Sequence, residues 1–291
     1  MKLHLSAREE TERSQNPQPV YVYDVHNRPN VMGGIINILP HWHGELEIML
    51  PKCRGTANID GESIDFGPND ILIVSPDMMH SCQCSEKGML FAITVNLSYF
   101  DFKKPDKAQV FYIQPVLSGK VKFPSVIWPG NPSYTSLLKY TEDLIASAAG
   151  ESPIGVKARA FMLLADLLGK LSQPAENEDI RNGILPTLKK SLIYIESKYL
   201  TKITVDEIAS DAGFSKYCYI RNFKKIFQKT PMEYIIELRL FNSLDLIMNG
   251  ASVTDAALDS GFFNLSYFIR KFKERFGTTP SKVKKTENFK V

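Results

Sequence analysis

The last third of this chain contains its own second copy, and few folds accommodate such a repeat. Val205, Ala209, Asp211, Gly213 and Phe214 recur as Val253, Ala257, Asp259, Gly261 and Phe262 at an offset of 48 residues. One inserted residue lengthens the offset to 49, and Ile220-Arg221-Asn222-Phe223-Lys224 recurs as Ile269-Arg270-Lys271-Phe272-Lys273, followed by Phe227, Thr230 and Pro231 as Phe276, Thr279 and Pro280. Each copy reads as two short helices joined by a tight turn. Thr204 or Ser252 caps the first helix. Ala209 or Ala257 is small where the helices approach, and Gly213 or Gly261 supplies the positive φ that the turn needs. Helix-turn-helix units are therefore expected at 204–228 and 252–276, with second helices at about Lys216 to Gln228 and Asn264 to Phe276. A plain bundle would not require the repeated arginine on those helices.

The repeat is also where the positive charge lies. Residues 184–291 hold 18 Lys+Arg against 11 Asp+Glu and residues 1–183 hold 17 against 21, so a net charge of +3 conceals a basic end on an acidic body. Basic helix-turn-helix units make double-stranded DNA the expected partner. Met232 to about Asn249 reads as one connecting helix, about 27 Å long, which would set the two second helices near one DNA turn apart. Ser215 and Asn264 fall at their N-termini as caps and phosphate ligands. Arg221 and Arg270 carry guanidinium forks that fit guanine O6 and N7, the alternative being ion pairs with neighbouring acids. Lys216, Lys224, Lys225, Lys271 and Lys273 suit phosphate or solvent, and Phe223, Phe227, Phe272 and Phe276 suit the core.

From Val20 to about Trp128 the pattern is of short strands with few helical signals. Asp60-Gly61 forms a hairpin tip, Asn69 takes a left-handed turn position, and Ile71 to Val74 runs as a buried strand. A small antiparallel barrel or sandwich follows. Helical periodicity then covers two segments between 133 and 171. They are expected to form a hairpin that dimerises through leucines such as Leu163 and Leu167. Ser172 to Asn182 is polar and contains Pro174, as a linker does. The expected organisation is a barrel domain (1–132), a helical hairpin (133–171), a linker (172–183) and the duplicated domain (184–291).

His41-Trp42-His43-Gly44-Glu45-Leu46-Glu47 places His41, His43, Glu45 and Glu47 at strand period two, hence on one face unless Gly44 forms a bulge. With His80 the set resembles the metal-binding motif of cupin enzymes, although Asn69 and Asp77 stand where that motif has glycines and Cys84 where it has asparagine. Three readings stay open: a polar lumen that hydrogen-bonds an organic effector, a divalent metal held by His41, His43, Glu47 and His80, or a structural hydrogen-bond set. No cofactor and no catalytic residue is expected. His80, Cys82 and Cys84 alternate onto one face and could form a soft-metal or redox sensor.

Gly261-Phe262 with Ser266-Tyr267-Phe268-Ile269-Arg270-Lys271-Phe272-Lys273 and Phe276-Gly277-Thr278-Thr279-Pro280 resembles the signature of the AraC/XylS transcription regulators over about 185–284. The N-terminal region is similar to the cupin-like sensor barrel of that family. The resemblance implies promoter binding, a small-molecule effector and dimerisation. It puts base-facing positions on Tyr217, Ile220 and Arg221 and on Leu265, Ser266 and Arg270. Ile220 and Leu265 depart from the polar readers common there and can contact only thymine methyls or nothing. The expected function is a ligand-responsive, sequence-specific regulator, homodimeric, with a sugar or other polar metabolite as effector and RNA polymerase as a candidate partner. The alternatives are a constitutive DNA-binding protein whose barrel only dimerises and a metal-dependent cupin enzyme fused to a DNA-binding domain. No apolar run is long enough to span a membrane, no leader is apparent, and four sparse cysteines suit a reducing compartment, so a cytoplasmic location is expected.

Overall fold

The computed structural model describes residues 18–25, 31–32, 35–100, 106–147, 152–174 and 184–285. The chain divides into two compact units, with the break between Glu178 and Asp179. Most of the expected linker, 175–183, lies outside the described residues, whereas Gln173–Pro174 is a short strand.

The N-terminal unit is built on β1 (Val20–Asp24), β2 (Val31–Met32), β3 (Ile35–His41), β4 (Leu46–Pro51), β5 (Gly55–Ile59), β6 (Glu62–Phe66), β7 (Ile71–Val74), β8 (His80–Cys84) and β9 (Leu90–Val95), with the short strands β10 (Val121–Lys122), β11 (Val126–Ile127) and β12 (Gln173–Pro174). Two five-stranded antiparallel sheets result, one in the order β1-β9-β4-β7-β11 and the other β2-β3-β8-β5-β6, while β10 pairs with β12. No ladder joins the two sheets among the described residues, so the expected barrel is instead an open two-sheet arrangement. Alternation and turn spacing are the same in barrels and sandwiches; closure depends on edge pairing, and the edge strands β2 and β11 are each two residues long.

The first sheet is buried on both faces. Leu46, Ile48, Leu50, Ile71, Ile73, Ile93 and Val95 pack with leucines of α2 (Tyr134–Ser147) and α3 (Pro153–Asp166), while Met49, Leu72, Val74, Leu90 and Ala92 pack with Ile36, Ala57, Ile59, Ile64 and Phe66 of the second sheet. This is why β4 and β7 read as unbroken apolar runs rather than alternating ones. Leu163 and Leu167 are fully buried in that helix-facing core, which corrects their expected place at a dimer contact. An apolar stripe reports that a face is covered without saying by what, and here the sheet covers it. A helical segment that the periodicity did not suggest, a π turn at Gln109–Ile113 running into α1 (Gln114–Leu117), packs Ile113 and Val116 onto the same core. The turn residues behave as their chemistry requires: Asp60 and Gly61 have φ of 53° and 89°, and Asn69 has φ of 73°.

The C-terminal unit comprises α4 (Ile184–Lys198), α5 (Val205–Asp211), α6 (Lys216–Phe227), α7 (Pro231–Met248), α8 (Val253–Asp259), α9 (Leu265–Phe276) and α10 (Pro280–Lys285). The duplication is reproduced bond for bond at the turns. Phe214 N donates to Ala209 O and Phe262 N to Ala257 O, both at 2.9 Å, with Gly213 and Gly261 at φ of 70° and 82°. Aromatic ladders repeat too: Tyr219-Phe223-Phe227 has centroid spacings of 5.5 and 4.3 Å, and Phe268-Phe272-Phe276 has 5.5 and 4.6 Å. Between the copies α7 is buried on nearly every side, from Tyr234, Ile235 and Leu238 to Phe241, Leu244 and Ile247. Among the described residues no helix is long and apolar enough to cross a membrane.

The two turn glycines differ in their surroundings. A Cβ on Gly213 meets nothing within 4 Å, whereas one on Gly261 would lie 2.7 Å from the carbonyl oxygen of Leu200 and 3.0 Å from Nε of Arg239. Gly213→Ala should cost only the left-handed backbone penalty, about 1–2 kcal/mol. Gly261→Ala should cost about 1–3 kcal/mol more, because backbone must also move. Urea denaturation of the two variants checks this, and equal losses would exclude the close approach at Leu200.

Candidate nucleic-acid interface and histidine cluster

In each repeat the second helix is started by a side-chain cap. The Ser215 hydroxyl accepts from Cys218 N at 3.4 Å, and the Asn264 carboxamide oxygen accepts from Tyr267 N at 2.9 Å. Both helices have twelve residues and end in a left-handed residue, Gln228 at φ 56° and Gly277 at φ 70°. The aromatic ladders fix the inward face, which decides what faces out. Ser215, Lys216, Tyr217 and Arg221 are exposed on or beside α6, and Asn264, Leu265, Ser266 and Arg270 on or beside α9; Ile220 is half-buried. Tyr217 is 78% exposed, far above the usual figure for so large a ring.

Several of these side chains have local partners. Lys216 Nζ lies 2.6 Å from Asp206 of α5. Arg270 stacks over the Tyr267 ring at 5.4 Å and has Glu274 at 3.9 Å, while Lys271 pairs with Glu274 at 2.7 Å. The hydrogen bond from Lys271 holds the Glu274 carboxyl below the usual range. Two exposed residues of this surface escaped the sequence reading. Phe263, the inserted residue of the second copy, is 73% exposed just before α9, and Glu274 follows Arg270 by one helical turn.

Behind the helices, one carboxylate connects the repeats. Glu237 of α7 pairs with Lys229, which follows α6, and with Arg275 of α9 at 3.0 Å, and its side chain is only 9% exposed. Arg275 also lies over the rings of Phe241 and Phe276. Two residues further, Arg239 donates to the carbonyls of Tyr199 at 2.6 Å and Thr201 at 2.7 Å, tying α7 to the end of α4. Buried ion pairs of this kind fix geometry more than they add stability.

In the N-terminal unit, His41, His43, Glu47 and His80 are brought together, all buried, with one ligand atom from each within 4.8 Å of the others. The strand expected to run through 41–47 is broken: β3 ends at His41, the chain crosses to the other sheet through His43 and Gly44, and β4 begins at Leu46. His41 and His80 are direct cross-strand partners. Glu47 reaches them from the inner face of the first sheet, its Oε2 lying 2.7 Å from His43 Nε2 and 3.0 Å from His80 Nε2. Burial alone would raise the Glu47 carboxyl, but hydrogen bonds and charge from His43 and His80 outweigh it and hold it well below the usual range. Glu45 departs from the expected single face, because the crossover turns it to the other ring nitrogen of His43, at 3.3 Å.

The rings are oriented from behind. Nδ1 of His41 lies 2.9 Å from Leu39 O and Nδ1 of His80 lies 3.0 Å from Met78 O. A carbonyl can only accept, so each Nδ1 donates and each Nε2 is presented to the cluster, the arrangement that orients metal-bound imidazoles. Asn69 and Asp77, standing where the cupin motif has glycines, both adopt positive φ (73° and 61°), as short polar residues can. Thr94, opposite Glu47 in the ladder, has a fully buried hydroxyl with no hydrogen-bond partner among the described residues. No sequence signal marked it.

The expected His80-Cys82-Cys84 grouping is divided. His80 joins Glu47, whereas Cys84 Sγ lies 2.7 Å from Cys53 Sγ. Burial pushes the Cys53 thiol up to about 12 and the contact with Cys82 pushes Cys84 up as well.

Comparison with known proteins agrees with this geometry. A helix-turn-helix domain family matches residues 208–286. The uncharacterized HTH-type transcriptional regulator YdeC of Bacillus subtilis (strain 168) is 26% identical over 286 residues, covering 96% of each chain. A probable AraC family transcriptional regulator from Rhodopseudomonas palustris CGA009 is 29% identical, covering 34% of this chain and 95% of that one with a TM-score of 0.33. ToxT from Vibrio cholerae is 13% identical, covering 90% of this chain and 96% of its own with a TM-score of 0.46. With its duplicated, capped units, this chain carries a helix-turn-helix domain over residues 208–286 and is similar along nearly its whole length to an HTH-type transcriptional regulator.

Proposed function

We propose that the regulator is controlled by a small ligand bound between the sheets of its N-terminal unit, and that α6 and α9 read two successive major-groove segments. The observation that carries the first part is the His41, His43, Glu47 and His80 cluster. Four ionisable side chains in an apolar interior are costly unless they gain partners, and the unpaired Thr94 hydroxyl beside them costs more. Such a set, with Glu45 at its edge, suits a polar or cationic effector such as a sugar rather than an apolar one. A second reading is favoured by one observation. The donation of Nδ1–H from His41 and His80 to backbone carbonyls leaves both Nε2 atoms for the cluster, and three imidazoles with one carboxylate suit Zn, Fe, Mn or Ni. Effector binding changes DNA affinity only by favouring one conformation, with a coupling of about 1–3 kcal/mol typical.

On the DNA side, Arg221 and Arg270 are the base readers, Tyr217, Ile220, Leu265 and Ser266 flank them, and Ser215, Lys216 and Asn264 lie at the phosphates. The exposed Ile154, Phe161 and Met162 of α3, at 79%, 39% and 52%, replace the buried leucines as the surface for a homodimer. RNA polymerase is a further candidate partner.

Three outcomes test these statements. Arg221→Ala and Arg270→Ala should each cost about 1–3 kcal/mol of specific affinity and relax base preference in separate segments of a duplex selected from a random library. Equal losses on scrambled DNA would make that arginine a phosphate contact. Titration of the metal-stripped chain with Zn, Mn, Ni and ferrous iron in a calorimeter, beside a thermal-shift screen of sugars, should give a response in one arm that Glu47→Gln removes. A wild-type response in Glu47→Gln would place the ligand elsewhere. Ile154→Glu should shift the sedimentation coefficient of the chain from dimer to monomer, and a wild-type chain that is already monomeric on operator DNA would remove α3 from the interface.

A further inference from the structure

The two recognition helices share their length, their caps and their aromatic ladders, so any difference in what they do lies on their outer faces. At the 49-residue offset, Lys216, Arg221, Lys224 and Lys225 of α6 correspond to Leu265, Arg270, Lys273 and Glu274 of α9. Four cations and no acid project from α6 itself, one of them, Lys216, being paired with Asp206 of α5. On α9 the fourth cation, Arg275, is turned inward to Glu237, and an acid takes the place of Lys225. Glu274 is half-exposed, like Arg270, and bonds Lys271 at 2.7 Å with Arg270 at 3.9 Å.

Exposed ion pairs on a helix add little to stability. Beside DNA the same pairs decide something else. Each cation that reaches a phosphate adds sequence-independent affinity through counterion release, and a carboxylate among them repels phosphate. Glu274 occupies Lys271 in an ion pair, and together with the Tyr267 ring it flanks the Arg270 guanidinium. A pair this weak yields where Arg270 finds its bidentate base and persists where it does not.

We infer that Glu274 is a specificity-determining residue of the second unit: it suppresses phosphate-driven binding by α9, so that α6 anchors the protein on any DNA and α9 engages only the correct sequence. The inference rests on α6 and α9 being the DNA-reading helices, as proposed above.

The test uses the full chain, its Glu274→Gln, Lys225→Glu and Arg221→Ala variants, and fluorescence anisotropy over a salt titration. The probes are a duplex selected with the wild type from a random library and a scrambled duplex of equal composition. Glu274→Gln should raise affinity for the scrambled duplex about fivefold at physiological salt and steepen the salt slope by about one, the effect of one added phosphate contact. The gain on the selected duplex should be smaller, so that the specificity ratio falls. Lys225→Glu should weaken binding to both duplexes alike. Unchanged scrambled-duplex affinity for Glu274→Gln overturns the inference, and so does a loss confined to the selected duplex, which would make Glu274 a reader of cytosine. Arg221→Ala separates the two levels: if it too leaves selected-duplex affinity unchanged, the assignment of the reading helices fails, and if it lowers that affinity while Glu274→Gln has no effect, only the role of Glu274 fails.

Discussion

Two rigid copies can address one DNA duplex only if the spacer between them holds its length and its phase. That task falls to α7, whose 18 residues span about 27 Å. A helix within a protein draws most of its stability from packing. Here it is buried along its course, started by a reciprocal cap between Thr230 and Glu233 with Pro231 in the first turn, and fastened at both repeats through Glu237 and at α4 through Arg239. The outward side chains of α6 and α9 inherit their relative positions from this helix.

The N-terminal unit solves a different problem, that of placing charge inside an apolar sandwich. Its first sheet is covered by helices on one side and by the second sheet on the other, and Glu47 within it is only 5% exposed. It is kept ionised by two imidazoles delivered from separate elements, His80 from a strand of the opposite sheet and His43 from the crossover between sheets. Each element is needed to satisfy the others. Cutting the chain between the sheets would leave a buried carboxylate without its partners, which is far more costly than losing a surface pair.

Much of this was legible in the sequence because it is written in local chemistry. The repeat carries its own caps, turn glycines and ladder aromatics, each of which requires a particular residue type at a fixed spacing. Asp60-Gly61 and Asn69 announce positive φ in the same way. What was not legible depends on long-range choices. The segment Gln109–Leu117 buries only Gln109, Ile113 and Val116 while Val110, Phe111, Tyr112 and Leu117 face outward, so its pattern is the reverse of an amphipathic helix on a core. Leu163 and Leu167 were recognisable as covered but not as covered by a sheet. In the cluster, the His-x-His and Glu spacing pointed to His41, His43 and Glu47, whereas Glu45 was displaced by the crossover at Gly44, and Thr94 became part of the site only through strand pairing.

The unequal covering of the two sheets also decides where the N-terminal unit can open. Amides of β4, β7 and β9 lie beneath side chains on both faces, while β5, β6 and β8 turn Thr56, Glu62, Ser63, Asp65 and Gln83 outward to water. Local opening follows the least-covered layer, so hydrogen exchange should be fastest in the second sheet and slowest in the first. His80 sits in a strand of the faster layer and Glu47 in the slower one. A molecule bound between them would clamp a breathing wall onto a fixed one, and the protection it confers would spread along β8 rather than along β4.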